Sequence, residues 1–208
     1  MNNLIFELEN IVSENKKRNL PSDVIENLLK EYLHYFVLDY IYNSSDFKDM
    51  VFYGGSALRM LFDLPRLSED IDFEADEKTD LRELAIGLEN YFKKDLALYE
   101  KFSANKMRAI NRIFLKFPVL YDIGLSPRKS EVLRLKVESR PLPKEFFKDA
   151  KITLTSKSKY GRSFIVKHYE MVAKLFRSEI LDFRARRGRR AKCFEAVAQL
   201  RRKAFCEV

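Results

Sequence analysis

Asp70 and Asp72 stand two residues apart in the segment Leu67-Ser68-Glu69-Asp70-Ile71-Asp72-Phe73-Glu74. In an extended chain that spacing puts both carboxylates on one face with Ser68 and Glu74, and turns Leu67, Glu69, Ile71 and Phe73 to the other. Two carboxylates so close call for a cation between them. Hard oxygen donors of this kind suit Mg²⁺, which keeps phosphate oxygens as further ligands, and paired aspartates holding two metals serve in-line transfer at phosphorus. Upstream, Asp49-Met50-Val51-Phe52-Tyr53 reads as a short apolar strand stopped by Gly54-Gly55, and Ser56 opens a helix running to Phe62. Glycines let backbone approach a ligand, and a helix start presents outward N–H groups beside a serine able to donate to a phosphate oxygen. Each pattern alone also has a plainer reading: a turn that is only structural, and an acidic strand edge that is only solvated.

These groups need elements to position them. Leu4, Leu8, Ile11 and Val12 predict an amphipathic helix over residues 3–18. Pro21 ends it, and Ser22 is placed to cap a second helix reaching Tyr42, whose apolar stripe widens as if to pack on a sheet. Pro65 stops the helix that starts at Ser56, and Thr79 or Asp80 caps another reaching about Leu98. Strands are expected at 113–122, 132–139 and 151–155, and residues 163–166 lead toward a helix near Tyr169-Glu170. In the second of these strands Leu133, Leu135 and Val137 face one way, and Arg134, Lys136 and Glu138 the other. Helices and strands in this order predict an α+β architecture with a mixed sheet.

The 208 residues carry 39 Lys+Arg against 31 Asp+Glu, a formal charge of +8, but the excess is local. Residues 158–208 hold 14 basic and 5 acidic groups, whereas residues 1–157 hold 25 and 26. That division predicts a core over 1–157 and a basic, mostly helical segment over 158–208. A basic block steers toward polyanions, above all nucleic acid, or is simply a solvated tail. Cys193 and Cys206 form neither a disulfide framework nor a CxxC metal site, which points to a reduced, cytoplasmic setting. His34 and His168 are too few for a histidine-built zinc centre. No apolar run approaches membrane-spanning length and the N-terminus is not a secretory signal, so no membrane association is expected.

Together, Gly54-Gly55-Ser56-Ala57-Leu58, the helix after it, and Arg66-Leu67-Ser68-Glu69-Asp70-Ile71-Asp72-Phe73 resemble the signature of AbiEii-type nucleotidyltransferases. These are a toxin branch of the DNA polymerase β-like superfamily, found in toxin–antitoxin and phage-defence systems. The resemblance implies that Gly54, Gly55, Ser56, Arg66 and Ser68 surround the nucleotide, and that Asp70 and Asp72 bind Mg²⁺, with Mn²⁺ as the alternative. It implies a third acid from a later strand. Glu138 is the candidate for metal binding, with Lys136, and also Arg134, on the same face to meet a phosphate. It further implies that Lys174, in Glu170-Met171-Val172-Ala173-Lys174-Leu175, clamps phosphate as a catalytic lysine. The plainer alternatives are an edge-strand charge for Glu138 and a Glu170–Lys174 helical pair.

Farther on the chain departs from the family pattern. Where an Arg-Asp pair and an aspartate-bearing apolar stretch are expected, it reads Arg184-Ala185-Arg186-Arg187-Gly188-Arg189-Arg190. The C-terminal helical segment is accordingly expected to be shortened or replaced. The resulting expectation is a Mg²⁺-dependent toxin nucleotidyltransferase that moves NMP from an NTP to an acceptor, RNA and in particular tRNA. Arg186, Arg187, Arg189 and Arg190 are candidates for RNA contact, and a cognate antitoxin is expected as partner. The competing expectations are a degenerate, non-catalytic fold that binds an antitoxin or nucleic acid, and a transferase acting on small molecules.

Overall fold

In helix α2 (Ser22–Asn43) every residue from Leu29 to Leu38 is buried, including Lys30, Glu31 and His34. Such a helix must be covered on all sides. The computed structural model of the chain describes residues 4–65, 67–95, 103–106 and 111–170. Helix α1 (Leu4–Lys17) lies on α2 through Leu4, Leu8 and Val12, and a seven-stranded sheet packs against it.

The strands are β1 (Val51–Tyr53), β2 (Asp70–Asp76), β3 (Ser103–Lys106), β4 (Arg112–Phe117), β5 (Leu133–Leu142), β6 (Ile152–Lys159) and β7 (Arg162–Tyr169). Their order is β3-β4-β5-β2-β1-β7-β6, with β2–β5 and β1–β7 parallel and the other neighbours antiparallel. Helices α3 (Gly54–Phe62), α4 (Leu81–Asn90) and α5 (Lys144–Asp149) fill the connections. This is the α+β mixed sheet with flanking helices that the sequence predicts. Of the C-terminal segment expected over 158–208, residues 171–208 lie outside the described residues.

Strand alternation sorts the sheet into two faces. Phe52, Ile71, Phe73, Ile113, Leu115, Phe117, Leu135 and Val137 are buried on one of them. Aromatic contacts tie this face to the helices: Tyr42 with Phe73, Phe92 with Phe117, and Phe36 with Phe92. The other face carries Asp70, Asp72, Lys136 and Glu138, all half-buried.

Several boundaries differ from the sequence expectation. Helix α2 begins at Ser22 with Pro21 in the cap position and no side-chain cap. Helix α3 begins at Gly54 rather than Ser56, because Gly54 takes a left-handed φ of 82° that turns strand directly into helix. Asp80 caps α4 by accepting from the N–H groups of Arg82 and Glu83, but the α-helix ends at Asn90 in a π-helical turn, Tyr91–Asp95. Strand β4 stops at Phe117, before Pro118, which lacks an N–H for the ladder. Residues 163–166 belong to β7, which runs to Tyr169, and Glu170 after it is helical, where the sequence reading expects a helix to start. The β6–β7 hairpin runs through residue 158, where the C-terminal segment was expected to start, and its strands pair from Ile152–Tyr169 to Lys159–Arg162. Strand β3 and helix α5 have no counterpart in the sequence reading.

His34 is a titratable group at the centre of this packing. Burial pushes its ring down to about 3 from the ordinary 6.5, against a backbone hydrogen bond with Glu69 that raises it, and Lys30 pushes it further down. Its Nε2 has no hydrogen-bond partner. The unfolded chain therefore binds the proton more readily than the native one. Stability is full above the unfolded value of 6.5 and falls as pH drops toward 3. Between pH 6.5 and 5 the loss should be about 2 kcal/mol. Urea unfolding at pH 7.5 and 5 should show it in the wild type, and His34→Gln should lose less over that window, the remaining loss coming from His168, whose ring is also pushed down by burial. Equal slopes in the two proteins would exclude His34 as the cause.

Candidate active site

The polar face is organised by the parallel pairing of β2 with β5. Its register sets Asp70 opposite Lys136 and Asp72 opposite Glu138. Side chains at paired positions share a face, so four groups separated by up to 68 residues of chain meet in a two-by-two array. The Lys136 ammonium bridges its two flanks, 2.7 Å from Asp70 Oδ2 and 3.2 Å from Glu138 Oε2. Arg112, opposite Glu138 on β4, donates to Glu138 Oε1 at 3.1 Å. Charges of alternating sign thus run Arg112, Glu138, Lys136, Asp70 across three strands.

These contacts set protonation. The hydrogen bond to Asp70 is the largest influence on Lys136 and raises its pKa; burial works the other way, and Glu138 reinforces the rise. Burial disfavours the charged form of Glu138, but hydrogen bonds from Arg112 and Lys136 outweigh it and hold the carboxyl below its usual value. Both groups are accordingly charged at neutral pH.

The start of α3 completes the site. Tyr53, the last residue of β1, is the register partner of Asp72. A methyl group at Gly54 would lie 2.4 Å from Asp72 Oδ2, so the missing side chain is what lets this carboxylate rest against the helix start. An anion there is favoured by the outward N–H groups and the helix dipole. Ser56 is buried, and its hydroxyl donates to the Asp70 carbonyl. The phosphate contact expected of that hydroxyl is thus replaced by an internal tie between α3 and β2. Gly55 lies in the same first turn, and Ser68 is half-buried two residues before Asp70.

Two anchors on α2 escaped the sequence reading. The Lys30 ammonium sits 3.1 Å from Glu69 Oε2 and 3.2 Å from Glu26 Oε1. His34 hydrogen-bonds the Glu69 backbone. They hold the residue between Ser68 and Asp70. Arg112 escaped it too, since only pairing across strands brings it to Glu138. Farther along the face, Tyr169 donates to Glu74, which also pairs with Arg140 at 3.6 Å. Arg66, Lys174, Arg186, Arg187, Arg189 and Arg190 lie outside the described residues.

Asp70, Asp72 and Glu138 are in kind the hard oxygen donors that Mg²⁺ takes, and they share one face. As they stand, no three His, Cys, Asp or Glu side chains among the described residues are arranged to hold a metal ion.

Residues 36–151 match the model of the nucleotidyl transferase AbiEii toxin, a type IV toxin–antitoxin system. The chain belongs to the AbiEii family. The match runs from within α2 to the residue after Ala150, so it contains Gly54, Ser68, Asp70, Asp72, Lys136 and Glu138, and stops short of Lys174 and the arginine cluster. No curated protein matches the sequence. Membership makes this AbiEii chain a nucleotidyltransferase-type toxin, with an antitoxin as partner and a nucleotide as substrate. Among the described residues no helix is long and apolar enough to cross a membrane.

Gly54 offers a test of how the site is built. Alanine there meets both a left-handed backbone and the Asp72 carboxylate, whereas Gly124, with φ of 67°, has nothing within 4 Å of the added methyl. Gly124→Ala should lose about 1 kcal/mol from backbone strain alone. Gly54→Ala should lose about 1–3 kcal/mol and also displace Asp72, weakening nucleotide binding. Thermal melts and nucleotide titrations of both variants check this. Equal behaviour would mean that Gly54 serves the turn only.

Proposed function

We propose that this AbiEii chain is a Mg²⁺-dependent nucleotidyltransferase that transfers NMP from an NTP to an RNA acceptor, with tRNA the foremost candidate. The observation that carries the reading is the two-by-two array: Asp70 and Asp72 on β2, Lys136 and Glu138 opposite them on β5, beside the Gly54 helix start. Asp70, Asp72 and Glu138 would hold the metal. When bound, it supplies charge neutralisation on the triphosphate and a more acidic acceptor hydroxyl.

The chain's own groups do the positioning. Helix α3 starts at Gly54, beside Asp72, and the free N–H groups of a helix start can receive phosphate oxygens. Gly54 keeps that approach open. Ser56 and His34 hold the Asp70 and Glu69 backbone and Lys30 holds the Glu69 carboxylate, so the segment is aimed before substrate arrives. Fixed groups aimed at developing charge are the main source of rate enhancement in transfers of this kind.

A polyanionic acceptor fits the same face. In register with Phe114–Lys136 is the pair Lys116–Arg134, one step farther along. Among the described residues neither Lys116 nor Arg134 has an ion-pair partner. With the half-buried Phe114 ring between strands of charge, they make a short basic and aromatic track next to the carboxylates. Such tracks bind single-stranded nucleic acid. The arginines at 186, 187, 189 and 190 remain the other proposed contact.

The chemistry is tested with purified protein, each labelled NTP, Mg²⁺ and total tRNA. Asp70→Asn and Asp72→Asn should each lower transfer by roughly 10²-fold or more and relieve growth arrest, with the circular dichroism spectrum unchanged. Near-normal transfer by either variant would refute the assignment, and nucleotide binding without transfer by the wild type would favour the non-catalytic reading. Lys116→Ala with Arg134→Ala should weaken RNA affinity and flatten its dependence on log salt by about 1.4, for two phosphate contacts at about 0.7 each. An unchanged slope would leave the arginine cluster as the acceptor site.

A further inference from the structure

We propose that the Lys136 ammonium occupies the divalent cation's place among the carboxylates in the unloaded protein, and that loading drives it off Asp70 and Glu138 toward the incoming phosphates. The inference rests on the reading of Asp70, Asp72 and Glu138 as metal donors. What it adds is a role for a residue lying inside the donor set.

The geometry is that of a stand-in cation. Lys136 Nζ contacts carboxylates of two neighbouring strands, at 2.7 Å on Asp70 and 3.2 Å on Glu138. Mg²⁺ requires oxygens at about 2.1 Å, so the ammonium holds the two carboxylates farther apart than the metal would. Lysine and metal cannot share the gap. The cluster around them comprises the carboxylates Asp70, Asp72, Glu74 and Glu138, against Arg112, Lys136 and Arg140. With Lys136 in place the charge is nearly balanced without any metal, and the face is stable as it stands.

Lys136 is built to leave. Its side chain is 26% exposed, and lysine is a point charge on a flexible four-carbon stem. It sits on the same face as the α3 start, where phosphates would lie. Once displaced, the ammonium needs a new anionic partner, and a nucleotide triphosphate provides one. Metal alone would have to evict the lysine with nothing to receive it, whereas metal with nucleotide would not. Each ligand then raises the affinity for the other by the same factor. The face would resist loading by free divalent cation and accept the metal–nucleotide pair together.

The test uses the full chain, Mn²⁺ as the probe and electron paramagnetic resonance to count free ion, with no turnover required. Lys136→Met, which keeps the length and drops the charge, should bind Mn²⁺ alone on the order of ten-fold more tightly than wild type, the direction set by removing a like charge from the gap. A non-hydrolysable NTP should raise Mn²⁺ affinity strongly in the wild type and much less in Lys136→Met, while Lys136→Arg should resemble the wild type. Equal Mn²⁺ affinity for wild type and Lys136→Met, with binding abolished by Asp70→Asn, would overturn the lysine's role and leave the metal site standing. Unchanged binding in Asp70→Asn would refute the donor assignment, and this inference with it. A wild-type measurement covers the case of a variant that does not fold. Under trace amine labelling read by peptide mass spectrometry, Mg²⁺ alone, raised to the high concentration needed to displace the lysine, should increase labelling of Lys136 relative to Lys116, and an unchanged ratio at saturating Mg²⁺ would overturn the proposal.

Discussion

The parallel register between β2 and β5 is the constraint on which the rest of this structure depends. Seven residue pairs, Asp70–Lys136 through Asp76–Leu142, lie side by side. The same pairing buries Ile71, Phe73 and Val137 against the helices and turns Asp70, Asp72, Lys136 and Glu138 outward. Because side chains alternate, a slip by one residue would drive the carboxylates into the core and the phenylalanine into water. Hydrophobic burial on one face therefore enforces the chemical arrangement on the other. The energy that specifies the site comes from the core, not from the site's own charges.

Those charges interact unfavourably until they are paired, and the fold pairs them in sequence. Arg112, Glu138, Lys136 and Asp70 alternate in sign across β4, β5 and β2. Partly exposed ion pairs add little net stability. Their importance is in orienting the carboxylates and in holding Glu138 ionised at neutral pH. A like arrangement at Asp72 comes from backbone: the glycine at 54 removes the atom that would collide with it and leaves a helix start alongside.

Beneath the sheet, α2 acts as a strut rather than a surface helix. Its buried Lys30, Glu31 and His34 reach outward to the segments around the site. Lys30 meets Glu69, His34 meets the backbone of Glu69, and Glu31 pairs with Arg59 on α3 at 2.9 Å. The hairpin β6–β7 is locked on the same helix by Lys159 over Tyr35 and Arg162 over Phe36. Buried charges are costly unless partnered, and here the partners are the segments that must not move if Asp70 is to keep its aim.

Much of this was legible in the chain itself. Alternation in residues 67–74 and 132–139 assigns Asp70, Asp72 and Glu138 to polar strand faces, because a strand with one buried side must alternate. The Gly54-Gly55-Ser56 motif marks the strand-to-helix turn, because only glycine enters the left-handed region without cost. What the local pattern could not carry is anything set by pairing. The hydroxyl of Ser56 looked available for a phosphate until β2 brought the Asp70 carbonyl to it. Residues 163–166 lacked a strand partner in the linear reading, and β7 exists because β1 and β6 flank it. Alternation alone placed Lys136 on the polar face of its strand, but its seat between two carboxylates depends on which strand lies beside β5 and in which register. That choice rests on long-range burial, which no local spacing encodes.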